Sequence, residues 1–170
     1  MQNDGWAKSM RELVVRRGSA GDFNALARYH YRRSRPATWA GVWAIDWHEG
    51  GRVRTVAVGV LSYPLLSVPA RHVLLGLGEL ESSRRIAFIN RSIRCISRLV
   101  VHPQFRGRGL ATLLVRTIRR NCSTRFIEAL SLSARDHRLF EKAGLWRVQL
   151  LGESNDRAAY YLAEARNDES

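Results

Sequence analysis

The chain has almost no lysine. Of its 28 basic residues only Lys8 and Lys142 are lysine, which leaves 26 arginines against 15 acidic residues and a formal net charge of +13. A GC-rich genome writes arginine for lysine, but it does not create a net excess of cations. Such a surface attracts polyanions, and the guanidinium fork suits phosphate contacts. Long apolar runs are also missing. No stretch approaches the ~20 apolar residues that span a bilayer, and residues 1–10 are polar with no signal-peptide core, so a cytoplasmic protein is expected. Two cysteines, Cys95 and Cys122, make no disulfide framework. Without clustered partners no metal site is expected. There is no internal repeat, no second domain and no nucleophile elbow. What remains is 170 residues with 45% apolar and 9% aromatic content, enough for one globular domain with a real core.

The most informative stretch is Arg106-Gly107-Arg108-Gly109-Leu110-Ala111. It follows the apolar run Ile96-Ser97-Arg98-Leu99-Val100-Val101 and opens a predicted helix over 110–120. A strand, a basic glycine turn and a helix N-terminus together make an anion cradle. Glycine takes positive φ and lets a ligand approach the backbone, while unpaired helix amides and the positive dipole end face it. Pyrophosphate is the natural occupant; the plain alternative is an ordinary strand-to-helix turn.

At these residues the chain resembles the GNAT family of acetyl-CoA-dependent N-acyltransferases. The family signature Gln/Arg-x-x-Gly-x-Gly/Ala is matched by Arg106, Gly109 and Ala111, with Arg98-Leu99-Val100-Val101-His102-Pro103 as its lead-in. Leu139-Phe140-Glu141-Lys142-Ala143-Gly144-Leu145 is similar to the second motif. The resemblance is specific over residues 95–146 and architectural before that. It implies a single-domain α/β fold with a mixed, mostly antiparallel sheet flanked by helices. It also implies acetyl-CoA as co-substrate, with Arg106, Gly107, Arg108, Gly109, Leu110, Ala111 and Thr112 around the pyrophosphate and Leu99, Val100 and Val101 along the pantetheine arm. In that fold the sheet splays beside the central strand.

The element order read from the pattern is β-α-β-β-β-α-β-α-β-β, a domain over 11–163 between a flexible N-terminus, 1–10, and a frayed tail, 164–170. Strands are predicted at 11–17, 38–47, 53–62, 95–102, 125–132, 145–151 and 158–163. Asp22 is expected to cap a helix running to Tyr31. Glu49-Gly50-Gly51 reads as a hairpin, residues 64–92 as a long insert without periodicity, and 135–143 as a short helix ended by Gly144. On the helix after Gly109, Leu110, Leu113, Leu114 and Ile118 share a face. Trp39, Trp43 and Trp47 are placed on one face of a strand, as core packing first and an acceptor wall second.

The family often protonates the leaving thiolate with a tyrosine in its second motif. Here that position is Phe140, and the motif's earlier asparagine corresponds to Ser133. Three readings stay open. Water protonates the thiolate, or Tyr31, His137 or Tyr160 does, or the chain binds coenzyme A without transferring an acyl group. The central strand Cys-Ile-Ser-Arg-Leu-Val-Val carries no carboxylate, and Arg98 stays protonated near neutrality. His30 is the best base on chemical grounds, although a histidine at a helix end commonly serves as a structural hydrogen-bonding residue. The loop that lines the acceptor cleft in this fold carries His30, Tyr31, Arg32, Arg33 and Arg35, cations beside an aromatic that suit a phosphate backbone and a stacked base.

A second resemblance is looser. His30-Tyr31, Pro36-Ala37, Gly41-Val42-Trp43, Ser97-Arg98 and His137…Phe140-Glu141-Lys142-Ala143…Trp146 are similar to the pattern of Mom-type phage proteins, GNAT-related enzymes that modify adenine in DNA. This chain departs from that pattern with Cys95 in place of a glutamate and Phe140 in place of a tyrosine. The expectation is an acyltransferase with His30, Tyr31 and Arg98 at its centre. Its acceptor amine is on DNA or tRNA, met by Arg32, Arg33 and Arg35. The rivals are acetylation of a small-molecule or protein amine, and a non-catalytic coenzyme A or nucleic-acid-binding module.

Overall fold

The computed structural model describes residues 12–30, 34–131, 137–149 and 159–165. In order these form β1 (Leu13–Arg17), α1 (Ala20–Leu26) with a 3-10 turn (Ala27–Tyr29), β2 (Gly41–Glu49), β3 (Arg52–Ser62), α2 (Pro69–Leu74) and α3 (Ser82–Ser92). There follow β4 (Ile93–Val101), a 3-10 turn (Pro103–Phe105), α4 (Leu110–Arg120), β5 (Phe126–Ser131), α5 (His137–Lys142), β6 (Trp146–Val148) and β7 (Ala159–Glu164). The strands build one seven-stranded sheet in the order β1-β2-β3-β4-β5-β7-β6. Every neighbouring pair is antiparallel except β4 and β5, which run parallel. This is the mixed, mostly antiparallel α/β sheet expected.

The β2–β3 hairpin turns on Gly50 and Gly51, whose φ values of +54° and +77° only glycine holds at low cost. The start of α1 differs from the expectation. Ser19 is its N-cap, and Asp22 is the third helical residue, accepting from the Ser19 backbone N–H at 2.7 Å and its hydroxyl at 3.0 Å. The 64–92 stretch is not an irregular insert. It holds α2, entered through Pro69, and α3, capped by the Glu81 carboxylate on Ser83 and Arg84 N–H groups at 3.1 and 3.3 Å. β4 opens at Ile93 directly out of α3, two residues before Cys95.

The core has three parts. On one face Leu110, Leu114, Val115 and Ile118 of α4 pack on Trp43, Ile45, Ala57, Ile127 and Tyr161; Val115 takes the place expected for Leu113, which is exposed. On the other face Phe23 and Leu26 of α1 pack on Val42, Val58, Val60 and Val100, while Val68 and Ala70 from the insert cover Ile93, Phe126, Tyr160 and Leu162. Gly59 lets α4 lie close to the sheet, since a Cβ there would stand 2.7 Å from Ile118 Cδ1. The three tryptophans do not share one face. Trp43 and Trp47 join the α4 side, Trp47 edge-on to Phe105 at 5.3 Å, whereas Trp39 precedes the strand and packs edge-on against Phe23 at 5.6 Å.

β4 is the pivot. Its pairing with β3 runs to Val101 but shifts between Val60 and Leu61, which leaves Ser97 as an extra residue. Its pairing with β5 stops at Ile96 opposite Ala129. Beyond that point β4 has β3 on one side and no described strand on the other. The sheet therefore splays, and it does so at the bulge.

Candidate active site

The splayed half of β4 leads into the glycine turn. Gly107 and Gly109 have φ of +76° and +79°, and Gly109 is the N-cap of α4 with no side-chain cap on the first-turn amides. A Cβ added at either glycine meets nothing within 4 Å. The helix N-terminus thus faces an open cradle of backbone N–H groups, the geometry that holds a pyrophosphate. Leu110 is buried and anchors the helix, so only its amide is offered to a ligand, while Ala111 and Thr112 are half-buried. Arg108 is exposed, its guanidinium 5.2 Å from the Phe105 ring centroid. Arg106 is turned differently from the expectation. Its Nε donates to the Val101 carbonyl and its Nη2 to the Tyr29 carbonyl, both at 3.1 Å. It fastens the turn to the end of the first helical unit.

Along β4, Leu99 and Val101 are half-buried against the α4 side, and the Val100 side chain is buried on the α1 side. The Val100 backbone is not free either: it pairs with Val58 of β3, in step with the His102 N–H on the Val56 carbonyl at 2.8 Å, so the backbone that faces the splay is that of Leu99 and Val101. Arg98 donates from Nη1 to the Ser97 carbonyl at 2.7 Å and from Nη2 to the carbonyl and hydroxyl of Ser34 at 3.2 and 3.3 Å. It is a strut that pins the chain at Ser34 to the bulge. His30 is half-buried just beyond the 3-10 turn, its N–H on the Ala27 carbonyl at 3.1 Å. The preceding Tyr29 ring lies 4.8 Å from the ring of His102. His102 is buried and its Nε2 accepts from Arg54 at 2.5 Å; burial, with Arg54 and Arg106 adding to it, holds its pKa below the usual value. Tyr29 is therefore brought beside the C-terminal end of β4, and His30 follows it in the chain. Tyr31, Arg32 and Arg33 lie outside the described residues, as does Ser133. Arg35 is exposed, with Nη2 3.3 Å from Asn24 Oδ1.

Phe140 is a core residue, buried and tilted against Tyr161 at 5.0 Å. No proton donor stands at that side chain's own position. Tyr160 is engaged elsewhere, in a cluster that the sequence reading missed. Its hydroxyl donates to Glu128 Oε2 at 2.9 Å, and Arg71 from the insert donates Nη1 to both Glu128 oxygens at 2.8 and 3.0 Å. Arg71 Nη2 also reaches the carbonyls of Leu65 and Leu66, at 2.5 and 3.0 Å. Both charged side chains are fully buried. Burial pushes the Glu128 carboxyl up, against the pull of Arg71; burial and the neighbouring Glu128 push Tyr160 up, which makes it a poor acid. Cys95, opposite Glu128 in the register, is pushed up to about 12 by burial and is inert. The signal was available: a glutamate within the apolar strand Phe126–Ser131 demands a buried partner.

Among the described residues no group of His, Cys, Asp or Glu is arranged to hold a metal, and no helix is long and apolar enough to cross a membrane. Residues 72–144 match the acetyltransferase (GNAT) domain family. Solved structures share the fold across most of the chain. Spermidine N-acetyltransferase from Vibrio cholerae, in complex with CoA and spermine, has a TM-score of 0.57 at 9% identity, covering 91% of this chain and 96% of that one. A Drosophila melanogaster polyamine N-acetyltransferase gives 0.53 at 16%, covering 89% and 99%. The ribosomal-protein-S18-alanine N-acetyltransferase from Escherichia coli gives 0.53 at 9%, covering 90% and 94%. At these identities the structures establish the fold. No curated protein sequence matches. The matched stretch holds β4, the glycine turn and α4, the elements that form the cradle.

Proposed function

We propose that this enzyme moves an acetyl group from acetyl-CoA to an amine on a nucleic acid, a modified DNA base or a tRNA-linked amine. The observation that carries the coenzyme assignment is the open double-glycine turn at the N-terminus of α4, directly beside the splayed half of β4. Backbone amides of Gly107, Gly109, Leu110, Ala111 and Thr112 hold the pyrophosphate, and the outward-facing backbone of Leu99 and Val101 pairs with the pantetheine arm. The thioester then ends near the Ser97 bulge. The acceptor nitrogen attacks the thioester carbon, the C–S bond breaks, His30 takes the proton from nitrogen, and the thiolate is protonated by Tyr31 or water. Arg98 positions the loop that brings these groups in.

The acceptor assignment rests on charge. A chain of +13 suits a polyanion, and the carboxylates buried in the sheet are already paired, Asp46 with Arg16 and Glu128 with Arg71. A polyamine acceptor of the kind named for two of the structures above needs carboxylates turned toward it. The looser likeness to Mom-type proteins points to nucleobases as well. Nucleic-acid binding should weaken with salt at a slope of about −0.9Z for Z phosphates on duplex DNA. Charge reversal at Arg32, Arg33 and Arg35 should flatten that slope more than reversal at Arg116 and Arg120. Absence of binding to DNA or tRNA at low salt would remove the nucleic-acid reading.

A further inference from the structure

The bulge in β4 turns two consecutive side chains to one side. Ile96 packs on the α4 side and Val100 on the α1 side. A regular strand would send Ser97 and Arg98 to opposite faces. Here Arg98 stands opposite Val60, which belongs to the α1 core. The Ser97 hydroxyl meets that of Ser62, two residues along β3 from Val60, at 2.6 Å. Both side chains therefore point to the α1 side. Ser97 is also the first residue of β4 beyond its last pairing with β5, Ile96 opposite Ala129.

The direction of these hydroxyl bonds follows from the last member of the chain. Ser62 is buried, and its Oγ lies 2.6 Å from the Thr38 carbonyl. A carbonyl only accepts, so the single Ser62 proton lies on it. Ser97 then donates to Ser62, since the Val60 carbonyl at 3.4 Å is too far to compete for its proton. With that proton committed, the half-buried Ser97 Oγ presents only lone pairs. Among the described residues no N–H donates to it.

An acceptor-only oxygen at the splay calls for an N–H. A thioester has none, and the attacking amine has. We infer that Ser97 Oγ accepts a hydrogen bond from the acceptor nitrogen and, with its direction set by Ser62, turns the nitrogen lone pair toward the thioester carbon. This rests on the placement of the thioester at the bulge. The hydroxyl chain ends on a carbonyl, so it passes no proton on, and the base stays with His30. The Arg98 guanidinium, 2.7 Å from the Ser97 carbonyl, disfavours an ammonium here. The nitrogen therefore arrives neutral, as the exocyclic amine of a base does. It turns cationic as the C–N bond forms, so its hydrogen bond to Ser97 strengthens in the transition state.

The test is initial-rate kinetics with acetyl-labelled acetyl-CoA and, in parallel, single-stranded DNA, tRNA and spermidine. Ser97→Ala should lower kcat by about 10- to 150-fold, the range for one charge-assisted hydrogen bond. KM for the amine, and coenzyme A affinity by calorimetry, should stay level. Ser97→Thr keeps the hydroxyl and should restore turnover. Ser62→Ala should lower kcat by less, because Ser97 keeps its oxygen and loses only its direction, and adding it to Ser97→Ala should cost nothing further. Parent-like turnover in Ser97→Ala, or a loss confined to KM, would overturn the assignment. So would a matching fall in coenzyme A affinity, which would put the hydroxyl on a pantetheine amide. Multiplying losses in the double variant would overturn the orienting role of Ser62. Transfer to spermidine alone would overturn the nucleic-acid reading, and the same variants on spermidine would still decide Ser97. A parent chain that labels no acceptor would overturn the acyl-transfer reading, and the role of Ser97 with it.

Discussion

Valine at Gly109 separates the coenzyme cradle from mere backbone strain. The residue sits at φ +79° and ψ 1°, a left-handed conformation that costs a side-chain-bearing residue about 1–2 kcal/mol. Gly76, in the insert, has φ +62° and equally open space around a built Cβ, so valine there should cost about the same in stability. The two sites differ in what lies beside them. At Gly109 the added carbons enter the open space at the N-terminus of α4, the proposed pyrophosphate site. Loss of one hydrogen bond to a charged group is worth about 1.5–3 kcal/mol, or roughly 10- to 150-fold in Kd. Gly109→Val should therefore lose about 1–2 kcal/mol in urea unfolding and at least about tenfold in coenzyme A affinity by calorimetry. Gly76→Val should lose the stability alone. A folded Gly109→Val chain with unchanged affinity, or an equal affinity loss at Gly76, would refute the assignment.

Arg71→Met strands Glu128 in the core and should cost about 3–5 kcal/mol in urea unfolding, most of it restored by adding Glu128→Gln; a single variant as stable as the parent would contradict the buried pair. Arg16 holds Asp22 near a pKa of about 2, below the usual 3.8, so this carboxylate stabilises the fold above pH 4 by about 2 kcal/mol. That contribution should fade as pH drops from 4 through 2 and be absent from Asp22→Asn, as followed by pH-dependent unfolding. His30→Ala and Tyr31→Phe should each lower turnover by ~10²–10⁴-fold without unfolding the chain, and full activity in both would assign the proton to water. Phe140→Tyr should not raise turnover, because its hydroxyl would enter the core beside Tyr161 and cost about 1–3 kcal/mol in stability.

The parts of the fold legible in the sequence are those set by local chemistry. Positive φ at Gly50, Gly51, Gly107 and Gly109 is a property of single residues, so the hairpin and the glycine turn before α4 could be read directly. α4 could be read because its apolar period is sustained over three turns. The insert could not. α2 is only six residues long and is held by Arg71 reaching β5, a contact that no local pattern encodes. The side chains of the site divide in the same way. That Arg98 and Arg106 would be present was plain, but a guanidinium serves a phosphate or a carbonyl equally well. Here both turn to carbonyls, those of Ser97, Ser34, Val101 and Tyr29. At the start of α1, Ser19 and Asp22 are both good capping residues three apart, and the sequence favours neither until the strand before them fixes where the chain turns.

The central claim is acetyl transfer from acetyl-CoA to an amine carried by nucleic acid. The direct measurement uses acetyl-CoA labelled in the acetyl group, offered with single-stranded DNA, tRNA, spermidine and a peptide with a free N-terminal amine in parallel, the products separated before counting. The account predicts label on a nucleic acid, with one free thiol released per acetyl group transferred, and loss of both in the Gly109→Val chain. Label confined to spermidine or the peptide, or no label on any acceptor, would contradict it.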